Sequence, residues 1–241
     1  MKGLIKRALR RAGYDLHRFV PTSSPDAQVA QVLAKLDIDL VIDVGANTGQ
    51  YAHSLRELGY RGRIISFEPL SLAHAELSAA AARDPAWTVA SRGAIGDRDG
   101  EIVINVAGNS ASSSVLDMLD AHRDAAPESR YVGHETVALS RLDSAVEPYV
   151  GAARAVYVKV DTQGFEDAVL KGGPVVFGRA AAVQLELSMV PLYAGQPLWD
   201  AMIGQMAQHG LVLWNLWPGF SDAATGRLLQ IDAIFAREAP R

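Results

Sequence analysis

The residues best suited to chemistry are acids that stand at or near the ends of apolar runs, namely Asp43, Glu68, Asp97, Asp161 and Glu186. In an open parallel sheet, the ligand crevice lies beyond the carboxyl ends of the strands. We therefore expect these carboxylates to meet at one edge of a sheet, where they can accept hydrogen bonds or a proton from a ligand.

A turn with two glycines follows the first of these acids. Residues 41–50, VIDVGANTGQ, lead an apolar strand into an acid, two glycines and an amphipathic helix. Gly45 and Gly49 allow the backbone to bend sharply and approach a ligand, and the N–H groups at the helix start point to the same place. The glycine spacing differs from the Gly-x-Gly-x-x-Gly of dinucleotide-binding enzymes. Because Asp43 repels a pyrophosphate but suits a cationic amino or sulfonium group, S-adenosylmethionine is a better expected ligand than NAD.

A second acid supports a nucleoside ligand. Glu68 follows the next predicted strand and lies 25 residues after Asp43. A carboxylate at the tip of the second strand can accept hydrogen bonds from both hydroxyls of a ribose. The alternative is a tight turn between strand and helix with a capping acid and no ligand.

The leading catalytic candidates are Asp161 and Glu186. Asp161 follows a central apolar run and precedes a glycine turn, whereas Glu186 interrupts another apolar run. A carboxylate in a buried strand is costly unless it is paired or hydrogen-bonded. On neighbouring strands, the two acids could bind one divalent cation such as Mg²⁺ or share a proton with a substrate hydroxyl. The alternatives without chemistry are a helix-capping role for Asp161 and an ion pair between Lys159 and Glu186.

A histidine and a serine loop are further candidates. His134 follows a long polar segment and precedes a predicted strand, where it could serve as a general base or be an ordinary loop residue. The serines at 112–114 could donate hydrogen bonds to a ligand, although serine clusters are also typical of flexible loops.

The elements that must position these residues alternate between helix and strand, which is typical of an α/β domain with a mostly parallel sheet. A turn at 97–100 predicts a hairpin between 93–97 and 101–106, inserted into this alternation. The segment 109–133 is predicted to be a long irregular loop. Strands are predicted at 40–44, 63–67, 87–90, 101–106, 135–139, 155–160, 182–187, 211–216 and 229–235, and helices at 26–36, 50–58, about 70–82, 165–170 and 198–208, with a short helix beginning at 142.

Composition sets the broad class. The chain has 241 residues, 49% of them hydrophobic and 21% charged, which suits one globular domain over 25–241 behind a basic helix and linker at 1–24. The absence of cysteine excludes disulfides, zinc thiolate sites and a cysteine nucleophile. No apolar run approaches the roughly 20 residues that span a bilayer, so the expected location is the cytoplasm.

Charge is concentrated at the start of the chain. Residues 1–18 contain six of the 23 lysines and arginines and one acid, and the remainder carries 17 basic and 26 acidic residues. An acidic body argues against a nucleic-acid partner. The basic segment predicts an amphipathic helix through which residues 1–20 contact the inner membrane surface, or which packs its apolar stripe on the domain.

Several motifs occur together and in one order: DVGANTGQY at 43–51, SFEP at 66–69, the serines at 112–114, LD at 142–143, KVDTQGFE at 159–166, LKG at 170–172 and ELS at 186–188. Over about residues 39–215 they resemble the FkbM family of S-adenosylmethionine-dependent O-methyltransferases. The resemblance implies a class I, Rossmann-like methyltransferase sheet of seven mostly parallel strands with an antiparallel last strand. Members of that family methylate hydroxyls of sugars, polyketides and glycolipids.

The resemblance also implies roles for individual residues. The methionine part of the cofactor would be bound by the glycine turn, the ribose by Glu68, and the adenine near residues 94–97. Asp161 would occupy the position after the fourth strand where such enzymes keep a catalytic or metal-binding polar residue. The cofactor-binding residues implied are Asp43, Gly45, Ala46, Asn47, Gly49, Glu68, Ala94 and Asp97.

The function that these observations favour is O-methyl transfer from S-adenosylmethionine to a hydroxyl of a sugar, as on a glycolipid, or of a secondary metabolite. Asp161, Glu186 and His134 are the catalytic candidates, and Asp161 with Glu186 is the candidate Mg²⁺ site. The alternatives are an NAD-dependent oxidoreductase and a non-catalytic cofactor-binding partner protein. The acceptor and the oligomeric state are left open by the sequence.

Overall fold

The structure is a computed structural model that describes residues 2–14, 20, 22 and 24–237. The helices are α1 (Lys2–Arg11), α2 (Pro25–Lys35), α3 (Gln50–Glu57), α4 (Ser71–Ala81), α5 (Asp120–Ala125), α6 (Leu142–Val150), α7 (Glu166–Gly172), α8 (Pro174–Arg179) and α9 (Trp199–Gln208). The strands are β1 (Leu40–Val44), β2 (Arg63–Phe67), β3 (Trp87–Val89), β4 (Ala94–Gly96), β5 (Gly100–Ala107), β6 (Tyr131–Arg141), β7 (Val156–Val160), β8 (Ala182–Ser188), β9 (Val212–Pro218) and β10 (Gln230–Ala236).

The main sheet has seven strands in the order β3-β2-β1-β7-β8-β10-β9. Neighbouring strands from β3 to β8 pair in parallel, whereas β10 pairs antiparallel with both β8 and β9. The predicted fold class, a mostly parallel seven-stranded sheet with an antiparallel last strand, is confirmed. The switch in strand order between β1 and β7 places the carboxyl ends of both strands at one crevice.

Helices cover both faces of the sheet because the central strands alternate between two apolar cores. Ile42 and Val158 pack with residues of α6, α7 and α9. Val41 and Tyr157 pack with residues of α2, α3 and α4 on the other face. All five residues of β1 are buried, as a central parallel strand requires.

A second, three-stranded sheet has the order β4-β6-β5 and corrects one prediction. The expected hairpin between the strands on either side of residues 97–100 does not form, because β6 lies between β4 and β5. Because β4 is short, it forms only three residue pairs with a neighbouring strand. β6 instead pairs with the whole length of β5, from Gly100 opposite Leu139 to Ala107 opposite Tyr131.

The segment before β6 is also more regular than predicted. It contains a 3₁₀ turn at Ser110–Ser112, helix α5 and a second 3₁₀ turn at Pro127–Ser129. Buried residues hold it against the domain: His122 packs edge-on against Tyr193, and Ser129 bonds to Ser112. The prediction of a long irregular loop was wrong because these tertiary contacts have no local sequence pattern.

The N-terminal region is described in part. The predicted basic helix is present as α1, and α2 begins at Pro25. Residue 23 of the predicted loop, and Asp15 and Arg18 of the predicted basic segment, lie outside the described residues. Within the described ranges, no helix combines the length and the apolar character needed to cross a membrane.

Candidate active site

An open cleft with about 720 Å³ of free space lies beyond the carboxyl ends of β1, β2 and β7. The glycine turn forms one wall, the end of β2 and the start of β4 form another, and the turn at Ser110–Ser112 covers it. Of the predicted cofactor-binding residues, Gly45, Asn47, Glu68 and Ala94 line the cleft, and so does the catalytic candidate Asp161.

The glycine turn has the geometry that its two glycines allow. Gly45 has φ +79° and Gly49 has φ +94°, both in the left-handed region. The N–H groups of Gly45 and Ala46 both donate to the carbonyl of Phe67 at 3.0 Å. A Cβ at Gly49 would lie 2.7 Å from Trp87, and one at Gly45 only 1.9 Å from the carbonyl oxygen of Asp161. The turn is therefore pressed against the end of β7.

Gly45→Ala is expected to lower the free energy of unfolding by at least about 2 kcal/mol, because both the positive φ and the contact with Asp161 forbid a Cβ. Urea unfolding of both proteins measures the loss. Gly204→Ala is the matched control, since Gly204 lies within α9 and an added Cβ meets open space. We expect the control to be neutral or stabilising by up to about 1 kcal/mol. A small loss at Gly45 would show that β7 is not held against the turn.

Glu68 is fixed at the tip of β2 by two backbone donors. Its carboxylate accepts the N–H of Asn47 at 2.8 Å and the N–H of Leu70 at 2.9 Å. The side chain is buried, and burial raises the pKa of Glu68 to about 7 against the opposing effect of the two N–H donors. The carboxylate thus joins the glycine turn to the start of α4, where it can still accept a ligand hydroxyl.

The raised pKa of Glu68 predicts that stability falls as the pH rises from about 4.5 to about 7. In this window the unfolded chain has released the proton while the folded protein retains it, so deprotonation favours unfolding by up to about 3 kcal/mol. Urea unfolding at pH 5 and pH 8 measures the difference. Glu166, whose pKa burial also raises to about 7, contributes in the same window.

The contribution of Glu68 is isolated by Glu68→Gln, which should weaken the pH dependence. Glu57→Gln, at an exposed position on α3, controls for the loss of a carboxyl group. An unchanged pH dependence in Glu68→Gln would show that this carboxyl is not the group that titrates.

Asp43 lies beneath the glycine turn rather than in the wall of the cleft. It is fully buried, and burial raises its pKa. Oδ2 accepts a long hydrogen bond from Ser66 at 3.4 Å, while Oδ1 has no donor within hydrogen-bond distance among the described residues and lies 3.6 Å from the Nζ of Lys159. A buried acceptor without a donor is costly, so Oδ1 is suited to a donor that a ligand supplies. This fits the amino group of S-adenosylmethionine.

Lys159 lies between Asp43 and Asp161. Its Nζ lies 3.6 Å from Asp43 and 3.2 Å from Asp161, over the ring of Tyr51. Burial opposes its charged form, but the carboxylates of Asp161 and Asp43 outweigh that effect and raise the pKa of Lys159. The expected alternative of an ion pair between Lys159 and Glu186 is not what the structure shows.

Asp161 and Glu186 do come together, but an amide group joins them. The Nε2 of Gln163 donates to Asp161 at 2.8 Å and to Glu186 at 2.7 Å. Within the part of the chain that the structure describes, no group of three or more histidines, cysteines or acids could hold a metal ion. The predicted Mg²⁺ site at Asp161 and Glu186 is therefore not supported, because an N–H donor takes the place between the carboxylates.

Several predicted site residues do not line the cleft, namely Asp43, Ala46, Gly49, Asp97, His134 and Glu186. His134 is exposed on β6, where it pairs with Asn105 of β5. Asp97 lies just beyond β4 and forms an ion pair with Arg98.

The serine loop is joined to the site by hydrogen bonds. Just before it, Ser110 donates to the side chain of Asn47 at 3.1 Å, and Ser114 donates to the carbonyl of Gln163 at 2.6 Å.

Four residues at the site were not predicted to act there. Gln163 joins the two acids, Tyr193 donates to Gln163, Gln230 donates to Glu186, and Lys159 lies between Asp43 and Asp161. Lys159 and Gln163 flank Asp161 in the sequence, which is a usable local signal. Tyr193 and Gln230 lie far from Asp161 along the chain and have no such signal.

The strand order of the main sheet is that of the class I methyltransferase fold. The model of the methyltransferase FkbM domain matches residues 43–213, which is more than half of the chain. The chain belongs to the FkbM methyltransferase domain family. The comparisons give no support to an NAD-dependent oxidoreductase.

Comparison with solved structures finds similar chains at low sequence identity. A methyltransferase FkbM from Methylobacillus flagellatus is 13% identical with a TM-score of 0.51 and is matched over 82% of this chain and 44% of its own. A TehB-like S-adenosylmethionine-dependent methyltransferase from Corynebacterium glutamicum is 13% identical over 98% of this chain and 96% of its own, with a TM-score of 0.41. Fibrillarin from Aeropyrum pernix, in complex with S-adenosylmethionine, is 12% identical over 87% of this chain and 74% of its own, with a TM-score of 0.43.

The chain thus spans less than half the length of the FkbM methyltransferase that it matches. A comparison with curated proteins finds no match.

Proposed function

We propose that the chain transfers the methyl group of S-adenosylmethionine to a hydroxyl of a small molecule. The preferred acceptor is a sugar of a glycolipid, and the second candidate acceptor is a secondary metabolite. The observation that carries this proposal is the placement of Asp161. Its carboxylate is one-third exposed, lines the cleft beside the glycine turn and is held from both sides by Lys159 and Gln163. A carboxylate so placed can accept the proton of a hydroxyl.

The residues that would bind the cofactor lie at the strand ends and have oxygens that can accept hydrogen bonds from it. Oδ1 of Asp43 suits the amino group, Glu68 suits the ribose hydroxyls, and the glycine turn lets the ligand approach the backbone. When bound, the cofactor supplies an electrophilic methyl group on a sulfonium centre. The turn at Ser110–Ser112 would help to exclude water, since it covers the cleft and bonds to Asn47.

The protein's part in the transfer is positioning and proton removal. The cofactor would supply the methyl group and leave as the neutral thioether, and Asp161 would accept the proton that the acceptor hydroxyl loses. The ammonium of Lys159, 3.2 Å away, and the Gln163 amide restrict the orientations of that carboxylate. No metal ion is needed to balance this step.

Calorimetric titration with S-adenosylmethionine and, separately, with NAD tests the cofactor assignment. We expect saturable binding of the former alone, unaffected by magnesium. Transfer of labelled methyl groups to methyl glycosides, as simple sugar acceptors, then tests the reaction. Binding without transfer to any hydroxyl acceptor would favour a non-catalytic cofactor-binding protein, and binding of NAD alone would overturn the proposal.

A basic surface on α1 motivates a glycolipid acceptor. We propose that residues 1–20 bring the chain to the cytoplasmic face of an anionic membrane. Arg7, Arg10 and Arg11 are exposed on α1, Ile5 is 52% exposed, and Tyr14 just beyond the helix is 70% exposed. Cationic residues with exposed apolar neighbours suit adsorption to anionic lipid.

Vesicle sedimentation tests this membrane contact. The full chain should bind vesicles rich in phosphatidylglycerol and leave vesicles of phosphatidylcholine unbound. A chain without residues 1–20 should no longer bind the phosphatidylglycerol vesicles better than the phosphatidylcholine vesicles. Equal binding of the two chains to the anionic vesicles would contradict the proposed contact.

A further inference from the structure

The side chain of Gln163 uses both ends of its amide. Nε2 donates to Oδ1 of Asp161 at 2.8 Å and to Oε2 of Glu186 at 2.7 Å. Oε1 accepts the hydroxyl of Tyr193 at 2.9 Å. One amide group therefore connects two carboxylates that would otherwise repel each other, and each N–H bonds to a different acid.

The backbone of Gln163 is held in a conformation that is uncommon for a residue with a side chain. Its φ is +54°, in the left-handed region. Its carbonyl accepts the hydroxyl of Ser114 at 2.6 Å. Glu166 accepts the neighbouring N–H groups of Thr162 at 2.8 Å and Gly164 at 3.2 Å. A strained backbone conformation of this kind persists only where surrounding contacts hold it in place. Here it directs the side chain of Gln163 toward Asp161 and Glu186.

Tyr193 binds the other end of the same amide. Its ring is fully buried, and its hydroxyl contacts two oxygens, Oε1 of Gln163 and the carbonyl of Ser112 at 3.2 Å. Because an ionised carboxylate can only accept hydrogen bonds, Asp161 and Glu186 select the two N–H groups of the amide. The amide oxygen then faces Tyr193, whose hydroxyl donates to it.

We propose that Gln163 is a positioning residue that holds Asp161 and Glu186 on the two N–H groups of one amide, while the hydroxyl of Tyr193 restrains that amide through its oxygen. The inference deepens the proposed function, because it explains how the carboxylate that accepts the hydroxyl proton keeps one orientation. Glu186 is the shared neighbour: it also accepts an N–H of Gln230 at 2.7 Å.

Glu186 provides a readout that needs no acceptor. Burial raises its pKa, and the nearby acids Asp161, Glu166 and Asp232 raise it further against the opposing effect of Lys159. The N–H of Gln163 stabilises the ionised form. Carbon-13 labelling of glutamate Cδ in the full chain, with the signal assigned by Glu186→Gln, follows the titration of this group.

We expect the titration midpoint of Glu186 to rise in Gln163→Leu, which removes the donor while Asp161 stays near. Tyr193→Phe should shift it in the same direction by less, because the amide then loses the hydrogen bond that restrains its oxygen but keeps both N–H donors. Tyr60→Phe is the matched control, since it removes a tyrosine hydroxyl that bonds to the carbonyl of Arg63, away from the cleft. The control should titrate as the wild type does.

Methyl transfer to methyl glycosides adds a second readout. In Tyr193→Phe, kcat should fall about tenfold while the KM for S-adenosylmethionine stays within about twofold, because misalignment affects the reacting geometry more than cofactor binding. An unchanged Glu186 titration in both Gln163→Leu and Tyr193→Phe would overturn the inference. If Gln163→Leu does not fold, Tyr193→Phe decides alone. Failure of the proposed function would show instead as no transfer by the wild type, with the titration shifts intact.

Discussion

Asp161→Asn is expected to lower the rate of methyl transfer to a hydroxyl acceptor about 10²- to 10⁴-fold, the usual contribution of a positioned general base. Asparagine keeps the shape of the side chain but cannot accept a proton. The affinity for S-adenosylmethionine should change by less than about threefold, because the glycine turn and Glu68 remain. Single-turnover transfer of labelled methyl groups measures the rate, and calorimetry measures the affinity.

Asp167→Asn is the matched control for this substitution. Asp167 lies on α7, where it pairs with Lys171 and accepts the amide of Gln205, away from the cleft. We expect it to retain the wild-type rate. A full rate in Asp161→Asn would show that Asp161 is not the general base and would remove the observation on which the proposed reaction depends.

Lys159→Met should lower the free energy of unfolding by about 3 to 5 kcal/mol, the usual loss when one partner of a buried ion pair is removed. Lys159 is 8% exposed and Asp43 is fully buried. Without the ammonium, Asp43 faces Asp161 with no cation between them. Urea unfolding at neutral pH measures the loss.

Two comparisons test the cause of that loss. Lys171→Met breaks an exposed pair on α7 and should cost less than about 0.5 kcal/mol. The double variant Lys159→Met with Asp43→Asn should recover part of the stability, because it removes the unpaired buried charge. Equal small losses at Lys159 and Lys171 would contradict a buried ion pair at the centre of the site.

The same lysine belongs to a row of polar side chains inside the main sheet. Asp43, Lys159 and Gln184 are register neighbours on β1, β7 and β8, so they form one polar row across the centre of the sheet. Tyr51 and Tyr157 both donate to Gln184, which continues the row toward α3. Polar groups this deep are tolerated because the amide and hydroxyl groups bond to one another and Asp43 pairs with Lys159.

Much of the main sheet, together with the glycine turn, could be predicted from the sequence because these elements are specified by local patterns of residues. Mostly apolar runs of five or six residues predicted β1, β2 and β7 within a residue of their observed bounds. The two glycines predicted a sharp bend of the backbone, and Gly45 and Gly49 both have positive φ there. Since strand ends in a parallel sheet meet at one edge, the approach of Asp161 to the glycine turn also followed from the pattern.

The pairing of the second sheet depended on tertiary structure. The turn sequence at 97–100 favours a local hairpin between β4 and β5. However, β6, which lies more than 30 residues after the turn, forms more residue pairs with β5 than the short strand β4 could form. The same holds for the segment before β6, where buried contacts of His122 and Ser129 select a helix and tight turns. Competition between distant partners has no signature in a local window.

The sequence by itself determined the fold class, the glycine turn and the acids at the strand ends, because periodicity and turn chemistry are properties of neighbouring residues. Only the tertiary structure decided what joins those acids. From spacing, Asp161 and Glu186 suit a metal ion as well as they suit a hydrogen bond, and the choice depended on Gln163 and on Tyr193 behind it. Such partners meet only when the chain has folded, since hydrogen bonds of buried side chains join residues that no periodicity relates.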